Sequence, residues 1–185
     1  AKTLFPYTTL FRSNTGVILW ESAIANPRGT NDIERLVDLV SPHDRQGDVV
    51  CVRAFQSSIG CVNAQRGQSV WTRPSVGEMG VSGNDNLLIA PLSNGVVQAW
   101  SRSTGERLWE TERLKYRILS APLVTPRGAL VADNGGWIYL LSLADGALLN
   151  RIKIDSEELV TAPVFAGGNY VVVSREGRVT GLQIP

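Results

Sequence analysis

Residues 100–109 read WSRSTGERLW, and residues 62–71, VNAQRGQSVW, close on the same pattern: a glycine, three residues, a tryptophan. The pattern pairs Gly16 with Trp20, Gly67 with Trp71 and Gly105 with Trp109, and a further copy at Gly146 carries Asn150 in place of the tryptophan. Successive glycines stand 51, 38 and 41 residues apart. A second landmark moves in phase, because Ser57, Gly95 and Gly136 each lie 10 residues before Gly67, Gly105 and Gly146, and Gly177 follows Gly136 by 41. A third agrees: Pro122 and Pro163 each precede their turn glycine by 14 residues. Three markers keeping step over about 40 residues signal a repeat architecture, which is sought before any local structure.

Between the markers lie short apolar runs at 49–55, 87–92, 129–132 and 170–174, rich in residues that suit a pleated sheet. Asn94-Gly95, Asn134-Gly135 and Glu176-Gly177 follow them and supply the positive φ that tight hairpins need. Further strands at 96–100 and 137–143 lead, through another glycine turn, to the tryptophan strand. Four short antiparallel strands per repeat make a propeller blade. An immunoglobulin-like sandwich also has many short strands, but has no need of a recurring Gly-x-x-x-Trp. The fold class expected is therefore an all-β propeller, with each tryptophan wedged against the neighbouring blade. Residues 34–71, 72–109 and 110–150 read as three full blades, and the chain from about 155 as a three-stranded one. Residues 16–24 read as the orphan outer strand of a preceding blade. Residues 3–13 (TLFPYTTLFRS) look like translated sequencing adapter, so 1–13 are read as an artefact and 14–185 as a partial propeller whose upstream part is lost.

Residues 62–71 and 100–109 resemble the repeat of pyrroloquinoline-quinone-type propellers. More narrowly, Ile33-Glu34-Arg35-Leu36-Val37-Asp38, followed by this repeat register, resembles the BamB family, from about Gly16 to Pro185. The resemblance implies an arc of an eight-bladed ring and a scaffold subunit of the outer-membrane β-barrel assembly machinery. It also implies a place at the periplasmic face of the outer membrane of a Gram-negative bacterium, held there by an N-terminal lipid anchor that this chain lacks. The implied partners are the periplasmic domains of BamA, other subunits of the machinery and unfolded outer-membrane proteins. The partner-binding residues expected are Ile33, Glu34, Arg35, Leu36 and Asp38, in an insertion of about ten residues between blades, signalled by the long first glycine spacing. Members of the family commonly carry Arg-Leu-x-Asp-x-Asp; here Asp38 fills the first acidic position and Val40 stands at the second. The alternative for Ile33 and Leu36 is that they only anchor the loop, with Arg35 and Asp38 paired to each other.

Composition narrows the rest. With 18 basic and 17 acidic residues the formal charge is +1, and the basic residues are scattered, with no run and no interleaved aromatic stripe. That gives no reason to expect nucleic acid or an anionic surface. No stretch reaches the length of apolar residues a membrane helix needs. The enzymatic alternative is a quinone-dependent dehydrogenase propeller, whose site uses adjacent cysteines, a stacking tryptophan and a calcium cage. Cys51 and Cys61 are not adjacent, and Trp100 and Trp137 read as packing residues. His43 is the only histidine, in a stretch read as a loop, and no Gly-x-Ser-x-Gly elbow accompanies it. The Asp-Gly turns at 133–135 and 145–146 lack calcium-loop spacing. No catalytic residue, metal or cofactor is therefore expected. For the cysteines, a hairpin turning at Gln56-Ser57 sets Phe55 opposite Ser58, so Cys61 faces Val52 and Cys51 points to the other side of the sheet. That register favours two separate buried thiols, and a disulfide needs a different turn.

Overall fold

The computed structural model describes residues 7–25, 38–154, 158–159 and 161–184, which form strands, turns and loops without a helix. β1 (Tyr7–Phe11) and β2 (Ile18–Ala23) form an antiparallel pair. Tyr7–Phe11 falls inside the segment read as adapter-derived, and its pairing does not bear on its origin. Next come three four-stranded antiparallel sheets. The first contains β3 (Leu39–Gln46), β4 (Val49–Ala54), β5 (Ser58–Asn63) and β6 (Ser69–Pro74). The second contains β7 (Ser82–Gly83), β8 (Leu87–Pro91), β9 (Val97–Ser101) and β10 (Arg107–Thr111). The third contains β11 (Leu123–Thr125), β12 (Gly128–Ala132), β13 (Trp137–Leu141) and β14 (Leu148–Lys153). A three-stranded sheet of β15 (Val164–Ala166), β16 (Asn169–Val173) and β17 (Val179–Leu182) follows. Within each sheet every strand pairs only with its sequence neighbours, so each sheet is a meander, and the whole is the all-β propeller that the repeat implies. The full blades begin at 39, 82 and 123, later than expected, because crossovers over 75–81 and 112–122 precede the second and third.

The sheets stack face to face, which explains why the middle strands are apolar without alternation. β8 (LLIAP) and β12 (GALVA) are buried along their whole length, since each has a neighbouring blade on both sides. Leu88 and Ala90 meet Ile59 and Trp71 of the first blade, while Leu87 and Ile89 meet Val131 and Tyr139 of the third. Four such clusters run in series, each shared by adjacent sheets, in place of one common core. Stability in such an array is close to a sum of nearest-neighbour interfaces. Crossovers and second-to-third-strand turns share one end of the blades; the remaining turns share the other.

The tryptophan repeat is the joint between blades. Gly67, Gly105 and Gly146 adopt φ of +69°, +68° and +71°, and a Cβ there would sit 2.7, 2.5 and 2.7 Å from the rings of Trp20, Trp71 and Trp109. Each indole N–H then donates to the carbonyl three residues before its glycine: Ala64 at 2.9 Å, Arg102 at 2.7 Å and Leu143 at 2.8 Å. Glycine and tryptophan thus recur together because one blade's tryptophan lies on the next blade's turn. Gly16 faces open space, and Asn150 is exposed.

One expectation is overturned. Cys51 and Cys61 form a disulfide across β4 and β5, and both are wholly buried. Ala54 pairs with Ser58, so the hairpin loop has three residues, 55–57, and Cys51 lies directly opposite Cys61. Gln56 takes the left-handed conformation at φ 51° and makes the longer loop possible. One residue of register moves every side chain to the other face, which is why the two-residue turn gave separate thiols. Closing so short a loop stabilises by about 2–3 kcal/mol in the chain-entropy account. Cys51→Ser is expected to lower the denaturation midpoint accordingly, and reductant should bring the wild-type midpoint down to the same value.

Candidate functional site

Of the expected partner-binding residues, Asp38 is described, and it lies at the crossover end of the first blade. Asp38 stands at the entry to β3, exposed, and its carbonyl accepts the Phe55 N–H at 2.7 Å. The same tie recurs where Ser93 donates to Val76 at 3.2 Å, Asn134 to Ile118 at 3.0 Å and Arg175 to Glu158 at 2.8 Å. Each second-to-third-strand turn is thereby fixed to the crossover entering its own blade. Asp38 is the first blade's member of a set whose others are Val76, Ile118 and Glu158. Two further bonds, Gln56 N–H to Gly77 at 2.9 Å and Tyr116 N–H to Asn94 at 2.8 Å, join turns to the following crossover. The Gln56 side chain also donates to Glu78 at 2.7 Å and to Ser93 at 3.0 Å. The loops thus make one continuous surface, on which Phe55, Val76, Tyr116 and Ile118 are exposed. Of the other expected partner-binding residues, Ile33, Glu34, Arg35 and Leu36 lie outside the described residues. Val40 is half-buried in β3 opposite Arg53.

Beneath this surface lies an arginine that sequence reading did not single out. Arg53 on β4 is fully buried and, among the described residues, has no carboxylate partner. Its guanidinium donates to the carbonyls of Met79 (3.1 Å) and Pro91, and to the Ser75 hydroxyl (2.9 Å). Burial pulls its pKa down to about 10, so it stays charged at neutral pH. A Cβ on Gly77 would fall 2.0 Å from the guanidinium, so glycine is required where the crossover bends over it. The acceptors lie on the next crossover and on β8; no linear motif announces such a contact. A second buried arginine, Arg102, pairs with Asp44 of β3, and donates to the Val49 carbonyl at 3.0 Å and the Asn84 carbonyl at 3.3 Å. Asp44 also accepts the Gly83 N–H at 2.8 Å, so the first and second blades are fastened beside the innermost strands.

His43 lies in β3, correcting its reading as a loop residue. It lines a cavity of about 390 Å³ near the innermost strands together with Val81, Pro122 and Pro163, each 14 residues before its turn. A second cavity, of about 250 Å³, opens toward the crossovers and is lined by Pro42, Met79, Ile118, Leu119, Glu158 and Leu159 among others. Among the described residues no cluster of three or more histidine, cysteine, aspartate or glutamate side chains forms a metal cage. Trp100 is buried between blades, while Trp137 lies half-buried on the third. No helix among the described residues is long and apolar enough to cross a membrane.

Comparison with known proteins agrees with this architecture. The family model described as outer membrane protein assembly factor BamB matches residues 8–111. The chain is 31% identical to outer membrane protein assembly factor BamB of Burkholderia pseudomallei over 169 residues, covering 91% of this chain and 44% of that protein. The protein of the same name from Escherichia coli K12 is 28% identical over 166 residues, covering 89% of this chain and 42% of its own length. The crystal structure of BamB from Moraxella catarrhalis superposes with a TM-score of 0.82 at 22% identity, covering 91% of this chain and 50% of that one. At that identity the superposition speaks for the fold. The chain spans less than half the length of these two curated relatives. With more than half of its residues matched by the family model, this chain belongs to the BamB family of outer membrane protein assembly factors.

Proposed function

We propose that this chain is a non-catalytic scaffold in the assembly of outer-membrane β-barrel proteins, acting at the periplasmic face of the outer membrane as part of a lipid-anchored protein. Its crossover end binds the periplasmic domains of BamA, and other subunits of the machinery and unfolded outer-membrane proteins are its further partners. Family membership is the observation that carries this reading, since the relatives are named for assembly and not for an enzymatic reaction. The buried Cys51–Cys61 bridge supports it, because structural disulfides belong to oxidising compartments such as the periplasm. The hydrogen-bonded loop surface around Asp38 also supports it, as a platform that presents a charge beside exposed apolar side chains. The chain works through this surface and needs neither cofactor nor metal.

Asp38 is exposed, so its charge acts on encounter and specificity more than on folding. Asp38→Arg is expected to weaken capture of purified BamA periplasmic domains about tenfold at low salt, with no change in melting temperature. Val40→Asp, which supplies the second acid of the family pattern, should strengthen capture. Binding that survives Asp38→Arg, or that falls only because the propeller unfolds, would make the Asp38 corner structural.

A further inference from the structure

Basic residues that are scattered along the chain are gathered by the fold into one strip on the third blade. Trp137 and Tyr139 stand two apart on β13, so their rings point to the same side of the sheet. Their partners on the outer strand β14 are Lys153 and Arg151. Arg117 reaches the strip from the preceding crossover. The Lys153 ammonium and the Arg151 guanidinium lie 5.4 and 5.2 Å from the centre of the Trp137 ring, and the Arg117 guanidinium 5.4 Å from that of Tyr139.

Among the described residues only one of the three cations, Arg117, meets a carboxylate, and that carboxylate is spent. Asp133 is wholly buried and accepts from Arg117 at 2.6 Å, from the Tyr139 hydroxyl at 2.9 Å, and from the N–H groups of Gly135 and Trp137 at 2.9 Å each. Lys153 donates to the Gly135 carbonyl at 2.6 Å. Among the described residues the exposed Arg151 guanidinium has its ring contact and no hydrogen-bond acceptor. Elsewhere on the surface Arg107, Lys115 and Arg175 each find a glutamate, at 3.0, 3.0 and 3.1 Å. Arg151 and Lys153 instead sit side by side, like charges about 7 Å apart on one face of a strand. A cation–ring contact takes up charge but fills no N–H···O position, so among the described residues the side-chain donors of Arg151 stay open.

We propose that this strip binds an acidic segment of a partner polypeptide, its carboxylates seated on Arg151 and Lys153 and its chain lying along Trp137. Acids at alternate positions of an extended segment match the cation spacing, and a carboxylate takes the Arg151 fork with two N–H donors. A peptide fits better than a membrane surface. The strip is narrow, the indole lies half-buried under the cations instead of projecting, and the chain as a whole carries only +1. The surface is two blades away from Asp38 and extends beyond the reading given above, so the two are tested separately.

Fluorescence anisotropy of the full chain with a labelled peptide of alternating Glu and Thr tests the proposal, with an alternating Lys and Thr peptide as control. The Glu peptide should bind saturably, weaken with salt, and lose about tenfold in affinity with Arg151→Gln plus Lys153→Gln, two charge-assisted contacts being removed. Arg66→Gln plus Arg127→Gln, in turns at the other end of the blades, should bind like wild type. Arg151→Glu plus Lys153→Glu should reverse the preference in favour of the Lys peptide, a gain that no loss of folding can imitate. Absence of saturable binding, or equal affinity in the Gln double variant, overturns the proposal. So does a double variant that changes only co-sedimentation with phosphatidylglycerol vesicles, which would make the strip a membrane contact.

Discussion

Trp71→Ala is expected to cost about 3–5 kcal/mol, the range for truncating a buried aromatic without collapse of the site. Trp71 is 6% exposed, fills the space between the first and second blades, and holds the Arg102 carbonyl through its indole N–H. The space cannot close easily, because the opposing wall is the backbone of a turn whose Gly105 carries φ of +68°. Trp71→Phe should recover much of the packing but leave the carbonyl without its indole donor. Gly105→Ala should also destabilise, by the left-handed strain and by a Cβ meeting the Trp71 ring. Urea denaturation checks all three. A loss below about 1 kcal/mol for Trp71→Ala would mean that the wedge does not hold the blades together.

The second large effect lies nearer the axis. Asp44→Ala removes the only carboxylate that a buried Arg102 meets among the described residues, and with it the acceptor of the Gly83 N–H. Arg102 keeps two backbone carbonyls, but its charge is then uncompensated at 4% exposure. Breaking one side of a buried pair typically costs about 3–5 kcal/mol, most of it the penalty on the charge left behind. The double variant Asp44→Ala with Arg102→Met should therefore be more stable than Asp44→Ala alone, and a double-mutant cycle on midpoints reads the difference. Additive losses would show that the two side chains do not depend on each other.

How far the sequence led depended on whether a feature repeats. The glycine–tryptophan spacing foretold the blade, its outer strand and the wedge, because the same joint is made at three successive junctions, by Trp20, Trp71 and Trp109. The turn at Ser57 breaks the pattern of its counterparts: Gly95, Gly136 and Gly177 take positive φ themselves, whereas in the first blade Gln56 does. That shift hid the three-residue loop and with it the Cys51–Cys61 pairing. Applying the register of the other turns to this one would have found it: Pro91 with Val97 and Ala132 with Ile138 correspond to Arg53 with Ile59. The buried arginines and the strip at Trp137 left no such trace, since their partners come from separate strands and crossovers and occur once. Of the candidate site, the glycine spacing marked the insertion that ends at Asp38, and the family resemblance alone singled out its acid, while Ile33, Glu34, Arg35 and Leu36 lie outside the described residues.

The scaffold reading is tested most directly by placing a photo-crosslinking amino acid at position 38 of the exported protein in a Gram-negative cell. A second copy of the experiment carries it at position 66, in a turn at the opposite end of the first blade. Irradiation should join position 38 to BamA and leave position 66 without that product. A BamA adduct of equal yield at both positions, or none at position 38 while the protein is folded and exported, would contradict the account.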